Sequence, residues 1–472
     1  MSWELDENSY QRRLESALLY HEAGRVTQSV GMVYEAYLPG AGIGSLCQIL
    51  PAGDPYSTHG VEAEVVGFRD RRVMLMPFGD AQGVSNHSLV VLKKKDSSVL
   101  VGESLLGRVI DSRGEPMDGK GPIALTGASE ERPLYQKPSH PLERTMITQP
   151  LDLGIRSING LITCGRGQRV GIMAGSGVGK SVLLGMMARH TAADVNVIAL
   201  IGERGREVRE FIEKDLGPEG LARSVVIVAT SDQSPLLRMR GAFLASSIAE
   251  FFRDRGSDVL LLMDSVTRFC MAQREIGLSI GEPPASKGYT PSVFSTLPKL
   301  LERAGTGPVR GSITGLYTVL VEGDDMDEPI ADATRSILDG HIVLSRKMAQ
   351  RNHYPAVDVL QSASRVMRSV ISPEHRDWAG QIREWMATYA QVEDLINIGA
   401  YARGSNPKVD QAIHVHDRIT DFLRQSIEDR ATCQDTEAIM HSIVRSGEAF
   451  LQSMQQGRQD QGGQRSQPSR NF

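Results

Sequence analysis

Residues 174–181 read AGSGVGKS and carry the clearest chemistry in the chain. An apolar run, QRVGIM, precedes them, and an amphipathic one, SVLLGMMARHT, follows. A strand, a glycine-rich turn and a helix in that order form a phosphate-binding loop. Gly175, Gly177 and Gly179 free the backbone to aim successive N–H groups inward. The following helix adds the positive end of its dipole. Lys180 would set a charge between the β- and γ-phosphates of ATP, and the Ser181 hydroxyl would ligate Mg²⁺. Ser176, Val178 and Val182 complete the expected nucleotide contacts. Ala174 stands where the usual GxxxxGK[ST] pattern has its first glycine. A small residue with ordinary backbone angles at that point leaves the loop intact.

Hydrolysis needs more than binding, and two acids are placed for it. Asp264 closes the apolar run DVLLLMD. An acid at such a strand end holds Mg²⁺, usually through its water shell. An acid capping the next segment, SVTRFCMAQREI, would give the same pattern. Glu203 follows VNVIALIG in the stretch GERGRE. Functional groups sit at strand ends in open α/β sheets. A carboxylate there could polarise the attacking water and border the metal, so Ser181, Glu203 and Asp264 are the candidate metal environment. A solvated charged turn accounts for ERGRE equally well.

These residues need a rigid frame, and the hydrophobic pattern supplies one. Over residues 151–370, apolar runs (QRVGIMAG, VNVIALIG, SVVIVAT, DVLLLMD, SITGLYTVLV, GHIVLS) alternate with amphipathic stretches. That alternation predicts a largely parallel sheet covered on both faces. Residues 25–95 differ: short β-rich runs are separated by Gly, Pro, Asp and Asn, as in a small antiparallel barrel or sandwich. Residues 96–150 read as a connecting segment with turns near Ser112-Arg113-Gly114 and Asp118-Gly119. Residues 371–455 read as a helical domain, with Ser372 as N-cap, Pro373 at the first helical position and Gly399 as a stop. Residues 1–24 hold a short helix over 4–22 that Gly24 would end. The Gln/Gly/Arg/Ser-rich residues 456–472 read as a disordered tail.

The 472 residues suffice for two or three domains. A net charge of -5 gives no general pull toward nucleic acid. The four cysteines, Cys47, Cys164, Cys270 and Cys433, form no CxxC pair, so neither a zinc site nor a disulfide framework is indicated. No apolar run approaches the roughly 20 residues of a membrane span. The charged start MSWELDENSYQRRLE lacks the apolar centre of a signal peptide. A cytoplasmic protein is expected.

GIMAGSGVGKS, GERGREVREF, LLLMDSVTRFCMAQREIG, GEPPASKGYTPSVFSTLPKLLERAG and YPAVDVLQSASRVM together resemble the flagellum-specific and type III secretion ATPases. These are relatives of the rotary ATP synthase catalytic subunit. The resemblance spans about residues 25–430, and SVLLGMMARHT is similar to the flagellar members. It implies an N-terminal β-barrel, a RecA-like α/β core and a C-terminal helical domain. It implies Glu203 as the carboxylate that activates water, Arg204 beside it near the catalytic site, and Asp264 as the Walker B acid. It implies Tyr354 as the aromatic packed on adenine and Arg365 as an arginine finger reaching the neighbouring subunit's nucleotide. The cofactors implied are ATP and Mg²⁺.

The partners implied are five further copies in a homohexamer and a regulatory, stator-like protein at the N-terminal helix. A central stalk-like coiled coil would face residues 398–407 of the helical domain. Export gate and chaperone–cargo complexes complete the set, with the ring held peripherally at the cytoplasmic face of the membrane. The work implied is release and delivery of exported subunits. An injectisome ATPase and a rotary ATP synthase catalytic subunit are the alternatives within the class. An RNA translocase of the Rho type would need basic residues interleaved with aromatics, and residues 25–95 lack them, so no nucleic acid partner is expected. A scaffold that binds nucleotide without turnover is the non-enzymatic alternative.

Overall fold

In this computed structural model the described residues are 22–51, 60–124, 129–308, 310–321, 323 and 325–464, with side chains up to 456. The helix expected over 4–22 and the docking role attached to it lie outside them, except for Glu22.

Six strands close an antiparallel barrel: β1 (Ala23–Val30), β2 (Val33–Tyr37), β3 (Leu46–Leu50), β4 (Val61–Arg69), β5 (Arg72–Pro77) and β6 (Leu89–Lys94), in the order β1-β2-β5-β4-β3-β6. Gly24, expected to stop a helix, instead lies inside β1, paired with Val90. A Cβ there would sit 1.8 Å from the Tyr37 carbonyl oxygen, so the crossing of β1 and β2 requires glycine. In β5, Val73 and Leu75 fill the barrel, while Met74 and Met76 point outward into the core of the next domain. The period of two thus serves two cores at once.

The segment from 96 to 150 is more than a connector. β7 (Ser98–Val101) pairs with β9 (Glu130–Pro133), and β8 (Arg108–Asp111) runs parallel to a strand of the central sheet, forming its edge. The turn expected at 118–119 is where Asp118 takes two guanidinium hydrogen bonds from Arg108, at 2.7 and 2.9 Å.

The central sheet has nine strands. The others are β10 (Arg169–Ala174), β11 (Val195–Glu203), β12 (Ser224–Thr230), β13 (Asp258–Asp264), β14 (Gly305–Thr306), β15 (Ser312–Leu320), β16 (Gly340–Leu344) and β17 (Val357–Ser364). Their order is β17-β16-β10-β15-β13-β11-β12-β8, with β14 antiparallel to β15 and β17 antiparallel to β16. Alternate residues serve opposite faces. Val195, Val197, Ala199 and Ile201 of β11 join one core, and Ile198 and Leu200 join the other. β12 and β13 divide in the same way, which is why these runs are apolar without interruption.

Helices α1 (Lys180–His190), α2 (Gly205–Glu210), α3 (Pro235–Asp254) and α4 (Val266–Ile280) follow strands of this sheet, and α5 (Pro291–Leu301) comes after α4. Residues of α3, α4 and α5 cover one face, and α1 packs on the other. The C-terminal layer is α6 (Pro373–Asn397), α7 (Pro407–Leu423) and α8 (Cys433–Gln464). The Ser372 hydroxyl accepts the His375 N–H at 3.1 Å, and Gly399 has φ +69°, as the caps predict. Helix α8 runs to Gln464, past the point where a disordered tail was expected to begin. Gln and Arg are good helix formers, and propagation from a formed helix is easier than nucleation.

Two buried charge clusters join the layers. Arg240 of α3 donates to Glu64 of the barrel at 2.6 Å, and Tyr135 donates to the same carboxylate at 2.6 Å. Arg303 pairs with Glu250 and donates to the Leu134 carbonyl at 2.6 Å. Burial pushes the Glu64 carboxyl above its ordinary range, against the pull of Arg240. All four cysteines are unpaired thiols.

Candidate active site

β10 ends at Ala174, whose carbonyl accepts the Val321 N–H at 3.0 Å. The residue has no positive φ, so alanine meets no strain where the family pattern has glycine. The loop then turns through Gly177 (φ +77°) and Gly179 (φ +84°), a region costly for other residues. Lys180 opens α1. Residues 174–177 and 179–182 line a cleft of about 790 Å³ together with Gly202, Glu203, Arg204, Glu207, Ser231, Arg268 and Arg346. Val178 is buried beneath the loop.

Lys180 Nζ contacts Asp264 Oδ1 and lies 3.6 Å from Glu203 Oε1. The order of the sheet explains this convergence. β11 and β13 are neighbours and parallel, so their terminal acids emerge at one edge, beside the loop that leaves β10. Asp264 is 4 % exposed, and Thr318 of β15 donates to its Oδ1 at 2.7 Å. Thr318 was not singled out in the sequence; only the pairing of β13 with β15 brings it there.

Burial, with Asp264 nearby, pushes the Glu203 carboxyl up to about 7, and Lys180 only partly offsets this. Burial alone would lower Lys180, but Asp264 and Glu203 outweigh it and hold the ammonium above its ordinary range. Glu207, also missed, lies in the first turn of α2, just past the end of β11. Burial would raise it, but the Glu203 hydrogen bond and the Arg204 guanidinium, 3.1 Å away, hold it below the usual range. Helical spacing from Glu203 gave no signal for it, because Glu203 ends a strand and the helix begins only at Gly205. Gly202, at φ +73°, lets β11 end in this shape; a Cβ there would meet the Arg268 side chain at 2.8 Å.

Tyr354 borders the loop: a Cβ on Gly179 would lie 3.3 Å from its ring. The tyrosine is 42 % exposed, leaving ring surface open beside the cleft. Arg365 is not brought to this site. It follows β17, where Ser364 pairs with Gly340, and its N–H donates to the Asp339 carbonyl at 2.9 Å. Ala174 pairs with Leu344, four residues along β16 from Gly340. At about 3.3 Å per residue, Arg365 leaves the sheet about 13 Å from the edge where the loop begins. The loop leads away from it.

A three-layer α/β fold with a phosphate-binding loop, a lysine and two strand-end acids at one sheet edge defines a RecA-like P-loop ATPase. Residues 154–364 match the model of the ATP synthase alpha/beta family nucleotide-binding domain, and residues 371–442 match that of the T3SS EscN ATPase C-terminal domain. The Flagellum-specific ATP synthase of Bacillus subtilis is 51 % identical over 90 % of this chain and 96 % of its own length. The Type 3 secretion system ATPase of Sinorhizobium fredii is 50 % identical over 89 % of this chain and 92 % of its own. The assembled ATPase EscN of the enteropathogenic E. coli type III secretion system superposes with a TM-score of 0.83 at 46 % identity, covering 89 % of this chain and all of that one. The chain belongs to the flagellum-specific and type III secretion ATPase family. It is an ATP-binding ATP hydrolase of that protein-export family.

Proposed function

We propose that this chain is the Mg-ATP hydrolase of a flagellar protein-export apparatus, working as a ring of six copies with each active site shared between two of them. The observation that carries the reading is the separation of parts. Lys180, Glu203 and Asp264 meet at one sheet edge, and Arg365 lies toward the other. An arginine so placed serves a neighbour's nucleotide rather than its own. EscN has been solved as an assembled ATPase and in complex with its central stalk EscO. By likeness, residues 398–407, where Ile398 is 75 % exposed, would face such a stalk.

Loop N–H groups and Lys180 would bind the phosphates, and Tyr354 would stack on the base. Ser181 and Asp264 would hold Mg²⁺. Oxygen donors suit it, and no group of three His, Cys, Asp or Glu among the described residues forms a closed cage, so phosphates and water would fill the remaining positions. Held there, Mg²⁺ would neutralise charge on the phosphates. Glu203, in the range near 7 where a general base works best, would take the proton of the attacking water. Arg204 lies at the cleft mouth. Among the described residues no helix is long and apolar enough to cross a membrane, so attachment there would be peripheral.

Mixing tests the shared site. Arg365→Ala and Lys180→Ala proteins should each be inactive, and a 1:1 mixture should regain about a quarter of the sites, those pairing an intact loop with an intact finger. No recovery in rings shown to exchange subunits would sink the proposal. The injectisome reading is favoured by the similarity to the Sinorhizobium fredii relative and to EscN. Restoration of motility in a strain lacking its flagellar ATPase, without restoration of effector secretion in an injectisome mutant, selects the flagellar role. The reverse selects the other.

A further inference from the structure

The C-terminal helices are joined to the nucleotide cleft through one buried amide. Gln425 follows α7 and is 6 % exposed. Its backbone N–H donates to the Tyr354 carbonyl at 3.0 Å. Its side-chain oxygen accepts the Arg156 N–H at 2.9 Å. Its side-chain nitrogen donates to the carbonyls of Gly154 and Asp429, both at 2.8 Å. Both amide donors are therefore used, and each partner is a backbone group. Arg156 returns the connection, donating to the Phe422 carbonyl at 2.8 Å and also to that of Arg424. The segment after α7 is thus fastened to the ATPase core at residues 154–156 on one side and at Tyr354 on the other. The Tyr354 ring in turn packs on Gly179 of the phosphate loop.

We infer that Gln425 is a positioning residue for nucleotide binding: it fixes the Tyr354 platform beside the phosphate loop and so ties base affinity to the placement of the helical layer. The inference rests on Tyr354 as the surface that receives the base. A glutamine suits the task because it gives two donors and an acceptor without charge. A glutamate would turn a carboxylate toward two carbonyl oxygens, and a methionine would keep the volume but leave buried backbone groups without partners.

The test uses the full chain as its assembled ring. Gln425→Met should raise KM for ATP about threefold to tenfold with kcat nearly unchanged. Inorganic tripolyphosphate, which has no base, should compete equally well in both proteins. In a Tyr354→Ala background the same substitution should add little, because coupled residues are not additive. Arg156→Lys, which loosens the same segment from the opposite side, should reproduce the KM effect should Gln425→Met prove too unstable to assay. Unchanged KM in both variants, or the same fold-change with and without Tyr354, overturns the assignment while leaving Tyr354 as platform. An unaltered KM in Tyr354→Ala alone overturns the platform and, with it, the role of Gln425. A fall in kcat with equal loss of tripolyphosphate binding shows a merely structural part and also overturns it.

Discussion

Glu203 combines a half-buried carboxylate with a task that requires its charge. Its folded-state proton affinity exceeds that of an ordinary glutamate, so the native state holds this proton to higher pH than the unfolded chain does. The associated stability is fully present below the ordinary carboxylate range and is lost as pH rises through about 7. Glu203→Gln should therefore raise the melting temperature at pH 8 by on the order of 2–4 °C and leave it unchanged near pH 4. Scanning calorimetry at the two values checks this, and an equal shift at both would place the cost elsewhere. The same variant should bind ATP but turn over roughly 10² to 10⁴ times more slowly. In the unsubstituted enzyme kcat/KM should climb through pH 7 as the base loses its proton. A flat profile would remove Glu203 from that role.

Between elements, the buried pairing of Arg240 with Glu64 joins α3 to the barrel. Removing one partner leaves the other charge buried and alone, a loss of about 3–5 kcal/mol. Arg240→Ala should lower thermal stability accordingly, and adding Glu64→Gln should recover part of it, since a neutral amide is less costly to bury. No recovery would mean that the loss comes from packing against Phe78, over whose ring Arg240 sits at 5.0 Å. The end of β11 is similarly constrained. Gly202→Ala would add a strained positive φ and a collision with Arg268, so turnover should fall together with stability.

For the whole molecule, one prediction separates a shared site from a self-contained one. Specific activity should rise with protein concentration as rings form, and Arg365→Ala should stay low at every concentration while still binding ATP. Constant activity per chain upon dilution to nanomolar levels would show a complete site within one copy. Both arms come from sheet topology: β17 returns antiparallel to β16, carrying Arg365 back toward the edge opposite the phosphate loop.

Local patterns determined much of this. AGSGVGKS between a strand and a helix named the phosphate loop, and unbroken apolar runs named a sheet buried on both faces, because both depend on residues adjacent in the chain. The acids at the ends of VNVIALIG and DVLLLMD were legible as strand ends. Their meeting around Lys180 was not, since that depends on which strands are neighbours. The same limit hid Thr318 behind Asp264, the entry of β8 into the central sheet and the buried pairing of Arg240 with Glu64. Gly24 was misread for a related reason: a glycine looks alike at a helix end and beneath a crossing strand, and only the Tyr37 carbonyl pressed against it distinguishes the two. Contacts between residues far apart in sequence are chosen by packing, and packing exists only once the layers have closed.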